Sequence, residues 1–423
     1  MKKMMLMLGV VTCLFAVSCS KEQNNDPKFD LLPNDVIIEW NEVAYQAFGG
    51  EQYQHSLMAS RINAMVHIAM HDALNAIFPV YATYAYMGKD NGANPIAAAA
   101  SAAHMVLVHE IPDKLNFLDS ALQNSLSSLP DDEAKTKGIQ LGKAVGEVII
   151  NTRANDGANE NPMSPVPPSN IPGVYQAVPP FDIVFAPFWE DIKLFGLQKK
   201  DQFRSKPYPS LNSEEYTKAF DEVKDLGNLN SNARTEDQTA YCNFWYEFSE
   251  AGWNRVARIL ASNKKLNLLE TARLFALVDM AMADAYIAGW DSKFYYNLWR
   301  PYTAIRQADI DNNEYTIVDP QWEPAMPTPP VQDYPSTHSA LGNAAATVME
   351  KILGDDTPFT MNSPTNLSNA GERSFINVKQ AADENADSRV VAGIHFRFAC
   401  EAGQEMGDKV GEWVVENYLK PLN

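Results

Sequence analysis

The sequence predicts an all-α protein whose helices gather into two packed bundles. Two observations carry this. Apolar residues recur at three- and four-residue steps over long runs, the mark of a buried helix face, and no alternation of apolar and polar residues persists. Helix punctuation is also present: Thr235-Glu236-Asp237-Gln238 fits a capping box, with Thr235 as N-cap and Gln238 reaching back to it. No internal repeat with a period of roughly 20–50 residues is found, which argues against a solenoid or propeller.

The first 18 residues read as an address. Lys2 and Lys3 precede an apolar run from Met4 to Val17, about 14 residues, too short to span a bilayer and suited to a signal-peptide core. It ends in Ala16-Val17-Ser18-Cys19, which resembles a bacterial lipoprotein lipobox. That resemblance implies cleavage before Cys19 and a lipid anchor on its thiol, placing the protein in the bacterial cell envelope. Residues 19–33 are polar and proline-punctuated, a tether.

Helical signals then dominate in two regions, an N-terminal one over 34–260 and a C-terminal bundle over 261–423. Arg61 to Ile77 places Ile62, Met65, Ala69, Ala73 and Ala76 at helical steps, and Ala97 to Val108 is apolar all round, hence a buried helix. Leu118 to Leu129 and Asp132 to Arg153 continue the pattern. Residues 155–210 break it with ten prolines, each removing a helix donor. Tyr175, Phe181, Phe185, Phe188 and Trp189 in that stretch predict a loop packed on the bundle. Helices resume at Ser213. The longest periodic run is Leu266 to Trp299, followed by Ser336 to Leu353, stopped by Gly354, and a last stretch between Ser388 and Leu419.

The charge balance restricts partners. With 34 basic against 53 acidic residues and a net charge of −19, nucleic acid and anionic surfaces repel the chain as a whole. The four cysteines are too few for a disulfide scaffold, and whether Cys242 and Cys400 pair is open.

Three separated segments suit one task, holding a tetrahedral oxyanion. In Lys293-Phe294-Tyr295-Tyr296-Asn297-Leu298-Trp299-Arg300-Pro301 the two cations stand seven residues apart and nearly eclipse on one helix face, with Pro301 ending the helix. Cations stacked in this way repel unless an anion lies between them. Tyr334-Pro335-Ser336-Thr337-His338-Ser339 reads as a helix N-terminus, where free N–H groups and the dipole favour an anion and His338 can exchange a proton. Ser388-Arg389-Val390-Val391-Ala392-Gly393-Ile394-His395 adds a cation and a second histidine, although their six-residue spacing does not put them on one face. His67, His71 and Asp72 lie together on one helix but lack any second ligand group, so they read as core or inter-helix residues; Asp284 is expected to pair with another helix rather than with the anion.

Taken in order, K-x6-R-P, P-S-x-H and S-R-x3-G-x-H resemble the type 2 phosphatidic acid phosphatase and vanadium-dependent haloperoxidase superfamily, the haloperoxidase branch above all. Residues 281–301, Pro329-Pro330, Pro172-Gly173-Val174-Tyr175 and His395-Phe396-Arg397-Phe398 extend the likeness. It implies a vanadate bonded to His395. Lys293, Arg300 and Arg389 would neutralise its oxygens, and Ser336 and the Thr337 amide would add hydrogen bonds. His338 would act as acid/base, with Lys293 polarising bound peroxide while a halide attacks. Trp290 and Val331 would line the halide pocket. In the phosphatase alternative, phosphate occupies the site, the substrate is a phosphate ester, His395 is the nucleophile and His338 protonates the leaving alcohol. Two departures stand out. Thr337 replaces the usual glycine, and its branched side chain is expected to intrude on the pocket. Ala399 replaces the aspartate four residues past the histidine, which orients the nucleophile in phosphatases, and this counts against phosphatase turnover. A rival from another class, a surface glycan-binding lipoprotein, predicts that these residues lie apart.

Overall fold

The computed structural model describes residues 32–422. The signal segment, the lipobox with Cys19 and most of the tether lie outside the described residues. The chain is all-α with two short two-stranded ribbons. Its first half holds α1 (Asp35–Phe48), α2 (Ser56–Ile77), α3 (Pro95–Glu110), α4 (Leu115–Ser127) and α5 (Glu133–Arg153). Local chemistry fixes their starts: Asn94 and Asp132 accept from the amides of Ala97 and Lys135, and Pro95 opens α3 where no donor is needed. β1 (Met163–Pro165) and β2 (Ile183–Phe185) pair antiparallel within the proline-rich stretch. Then come α6 (Glu214–Leu226), α7 (Glu236–Phe244), whose Thr235–Gln238 capping box forms, and α8 (Ser249–Asn263).

α9 (Leu268–Tyr296) is the axis of the molecule. It is buried on every side from Leu268 to Lys293 apart from Glu270 and Arg273, because α2 packs against it from the first half and α11 (Thr337–Leu353) and α13 (Arg397–Asn417) from the second. The remaining elements are α10 (Pro301–Arg306), the ribbon β3 (Phe359–Met361) with β4 (Arg373–Phe375), and α12 (Val378–Val391). Gly403, Gly407 and Gly411 of α13 lie against the carbonyls of Ser336, Ala340 and Ala344, so α13 meets the start of α11 backbone to backbone. No helix among the described residues is long and apolar enough to cross a membrane.

Several expectations need correction. The helix carrying Lys293 stops at Tyr296, where Asn297 turns left-handed at φ 50°, and Pro301 opens the next helix instead of ending this one. Lys293 and Arg300 therefore meet across a turn, not on a common face. The final helical stretch is two helices, broken between Val391 and Arg397. Gly393 makes the break: its φ is +78°, and a side chain there would strike the Gly227 carbonyl and Pro324. Phe181 is exposed, although Tyr175 and Trp189 of the same stretch are buried. Asp284 pairs with no helix. Its carboxylate accepts the amides of Phe195, Gly196 and Leu197 at 2.6–2.7 Å and so pins the proline-rich segment to α9. His67 contacts Asp279 of α9 at 2.6 Å, in keeping with an inter-helix role. Cys242 and Cys400 are both buried free thiols.

Candidate active site

The site forms where three chain breaks meet: the α9–α10 turn, the start of α11, and the α12–α13 break. Loop residues from the first half brace the turn. Val174 bridges Leu298, the Tyr175 amide donates to the Asn297 carbonyl at 2.9 Å, and the Trp299 amide donates to the Gly173 carbonyl at 2.8 Å. Arg300 thus leaves a clamped strand-like segment as the residue before α10. Its Nε donates to the Val331 carbonyl at 2.7 Å and one guanidinium nitrogen to the Ile394 carbonyl at 2.8 Å. That same nitrogen lies 3.0 Å from Nε2 of His395. Residues 95 apart in sequence are in contact, as an oxyanion cradle requires and as a scattered surface set would not allow.

Lys293 is fully buried, and its Nζ donates to the carbonyls of Gln332 and Asp333 at 2.7 and 3.0 Å. Burial, with Arg300 adding to it, holds its ammonium well below the usual lysine range. Arg389, in the last turn of α12, donates to the Trp245 carbonyl at 3.0 Å and lies over the Tyr246 ring, 5.6 Å from its centroid; its Nε has no acceptor in the protein. His338 donates from Nε2 to that same Trp245 carbonyl at 2.8 Å, so one backbone oxygen ties the second segment to the third. His395 is held well below the usual histidine range by burial and then by Arg300, Lys293, Arg389 and His338, in that order. His338, a half-buried residue, is lowered by desolvation and by Arg389. Both rings are therefore neutral near pH 7 in the anion-free protein.

Ser336 caps α11. Its Oγ accepts from the Ser339 amide at 3.3 Å and from the Ser339 hydroxyl at 3.0 Å, which leaves its own proton to donate. The amides of Thr337 and His338 begin the helix, where the regular ladder offers no acceptor. Thr337 does not crowd the anion site as expected. Its methyl packs over Gly289 of α9, where any side chain would collide with it, and its position in the first turn is ordinary helix.

Trp290 and Val331 are both buried, and Phe185 of β2 joins them. The Trp290 indole N–H donates to the Phe185 carbonyl at 3.3 Å, and the Phe185 amide donates to the Pro330 carbonyl at 2.8 Å. The structure thus links Arg300 to His395 directly, His338 to Arg389 through the Trp245 carbonyl, and Arg300 and Lys293 to the segment 331–333, with Ser336 and Thr337 in the turn that carries His338 and Trp290 one turn before Lys293.

It adds two that sequence reasoning missed. Trp245 acts through its carbonyl, which no side-chain pattern reveals. Asp333 is fully buried, with Oδ1 2.9 Å from Nδ1 of His395 and 3.7 Å from Arg300. Burial pushes its carboxyl up to about 7, against the pull of Arg300 and Lys293. A lone acid three residues before Ser336, among prolines and aromatics, was the available signal.

Comparison with known proteins follows this geometry. A family model described as the VCPO second helical-bundle domain matches residues 273–423. The vanadium chloroperoxidase of Curvularia inaequalis is 24% identical over 94% of this chain and 83% of that protein. The crystal structure of the first bacterial vanadium-dependent iodoperoxidase superposes with a TM-score of 0.80 at 27% identity, covering 93% of this chain and 98% of that one. An apo-type bacterial vanadium-dependent chloroperoxidase shares the fold, with a TM-score of 0.73 at 19% identity over 92% of this chain and 98% of that one.

Proposed function

The chain belongs to the vanadium-dependent haloperoxidase family, and from that premise we propose that it oxidises halide with hydrogen peroxide at a vanadate held by His395. The observation that carries the reading is the crowding of three buried cations, Lys293, Arg300 and Arg389, around one histidine, with Asp333 as the carboxylate in contact. Excess positive charge in a buried pocket is costly without an anion. The unpartnered Nε of Arg389 and the open amides at the start of α11 are donors suited to a tetrahedral oxyanion.

Bound there, vanadate would supply the Lewis-acid centre that activates peroxide toward halide. The protein's own residues do the rest. Nε2 of His395 would be the ligand atom. Lys293, Arg300 and Arg389 would balance the oxygens' charge, and the Ser336 hydroxyl and Thr337 amide would donate to them. His338 keeps its proton on Nε2, facing the Trp245 carbonyl, so Nδ1 is the atom that takes up a proton. Residues 34–260 would brace this site and 261–423 would carry it. The apolar run ending at Cys19 supports export and a lipid anchor in the bacterial cell envelope.

One observation favours a second reading. Asp333 puts a carboxylate against His395, so Ala399 no longer argues against phosphate-ester hydrolysis. There Nε2 would attack phosphorus while His338 gave a proton to the departing alcohol, a task that a neutral His338 is poorly prepared for. The glycan-binding alternative loses its premise, because the residues it would scatter converge. Purified protein reconstituted with vanadate and assayed for peroxide-dependent halide oxidation and for p-nitrophenyl phosphate hydrolysis tests the proposal. Halide turnover supports it, and ester hydrolysis without halide turnover gives the site to the second reading.

A further inference from the structure

The geometry points to Asp333 as a positioning residue that holds His395 with its proton on Nδ1, so that the Nε2 lone pair, which faces Arg300 in this structure, is available to an oxyanion. This is the task that phosphatases of the superfamily give to a carboxylate four residues past the histidine, where this chain has Ala399. The inference deepens the haloperoxidase reading and rests on it for the identity of the bound anion.

Arg300 favours one half of the assignment. One guanidinium nitrogen lies 3.0 Å from Nε2 and 3.4 Å from Nδ1. A guanidinium has donors and no acceptor, so the nearer ring nitrogen, Nε2, is the one that gains most from being unprotonated. The proton then sits on Nδ1, which faces Oδ1 of Asp333 at 2.9 Å. Arg300 is farther from that oxygen, at 3.7 Å, so Asp333 is closer to the histidine than to the arginine. Neither carboxylate oxygen has an aligned hydrogen-bond donor in the protein, the Nδ1 contact included, so both keep lone pairs with which to accept the ring N–H.

Asp333 is itself held in place. Its amide donates to the Leu298 carbonyl at 3.0 Å, and its carbonyl accepts from Lys293 at 3.0 Å. One residue thereby ties the α9–α10 turn to the α12–α13 break. Ala399 is buried at the start of α13 and has no acceptor to offer. In this chain the carboxylate beside the histidine comes instead from the segment before Ser336. A partner that orients a ligating histidine typically contributes about 10–100-fold in affinity for the bound metal group.

The test uses the full chain and the variants Asp333→Ala, Asp333→Asn and Asp333→Ala with Ala399→Asp. Nitrogen-15 NMR of histidine-labelled, anion-free protein reads the tautomer, with His395→Ala identifying the signal. Calorimetric titration reads vanadate and inorganic phosphate affinity. The parent is expected to show the Nδ1–H form. Asp333→Ala should lose that preference and bind vanadate about 10–100-fold more weakly, and the double variant should recover most of both. Asp333→Asn keeps the shape and is expected to bind vanadate about tenfold more weakly, so it reports even if the alanine variant does not fold. A tautomer and affinity unchanged in a folded variant overturn the assignment. So does lost affinity with an unchanged tautomer, which would make Asp333 only a counter-ion, and so does a double variant without recovery. Should the parent bind phosphate but not vanadate, the haloperoxidase reading fails while the tautomer still decides the role of Asp333.

Discussion

Replacing Gly289 with alanine should destabilise the protein, and the same replacement should stabilise it once Thr337 is serine. Gly289 lies inside α9, one turn before Lys293, where alanine would ordinarily gain about 1 kcal/mol of helix propensity over glycine. Here the new methyl would overlap the Thr337 methyl. Thr337 is buried and branched at Cβ, with few rotamers to retreat into, and it opens α11, which α13 backs closely. Overpacking of this kind costs about 1–3 kcal/mol, so after the propensity gain Gly289→Ala should lose up to about 2 kcal/mol net. Serine removes the offending methyl and leaves Cβ as the next atom, 3.5 Å from the new methyl, an ordinary contact. Thr337→Ser alone should cost about 1 kcal/mol for the lost methyl, and Gly289→Ala on that background should return about 1 kcal/mol. The coupling between the sites is then about 1–3 kcal/mol. Guanidinium midpoints for the four proteins of the cycle measure it, with unchanged slopes showing that the transition has kept its character. Vanadate titration supplies a second readout, because a displaced Thr337 takes an anion-facing amide with it. If Gly289→Ala stabilises the parent, or has the same effect on both backgrounds, the fitted pair is refuted.

The two histidines should separate. His395→Ala should abolish vanadate binding in titration, whereas His338→Ala should bind it and lose about 10²–10⁴-fold in turnover; equal loss of binding in both contradicts the roles. Glu250 predicts an effect of pH on stability. It is buried, accepts from the hydroxyls of Tyr53 and Tyr286 at 2.6 and 3.0 Å, and has its carboxyl pushed up to about 7 by burial, with Glu247 adding to the shift. A folded pKa above the unfolded value means that Glu250's contribution is fully present below about pH 4.5 and is lost as pH rises through about 7, by up to about 3 kcal/mol. Denaturant midpoints of Glu250→Gln should fall less across that window, and an unchanged profile would refute the assignment. Iodide should be oxidised best, bromide weakly and chloride little. Trp290 and Val331 make an apolar wall, the indole N–H is already bonded to Phe185, and a weakly hydrated anion loses least on entering; steady-state chloride turnover equal to that of iodide refutes this.

Much was legible in the chain alone. The three oxyanion-holding segments, the buried helices and the Thr235 cap depend on local spacing and hydrogen-bonding capacity, which a sequence records directly. The ends of the site helices were less so: Pro301 reads as a terminator by its missing donor but equally as a first residue, and only the clamp by Gly173 and Tyr175 decided between them. The consequences of Thr337 and Ala399 could not be read locally at all. Whether a methyl intrudes depends on what faces it, here Gly289 some 48 positions earlier, and whether a carboxylate is missing depends on whether another reaches the same ring nitrogen, as Asp333 does from 62 positions away. Sequence determined which chemical groups the protein carries and their order. Tertiary structure decided which partner each one meets, because burial leaves a charge, a ring nitrogen or a methyl group only the neighbours that packing brings within a few ångströms.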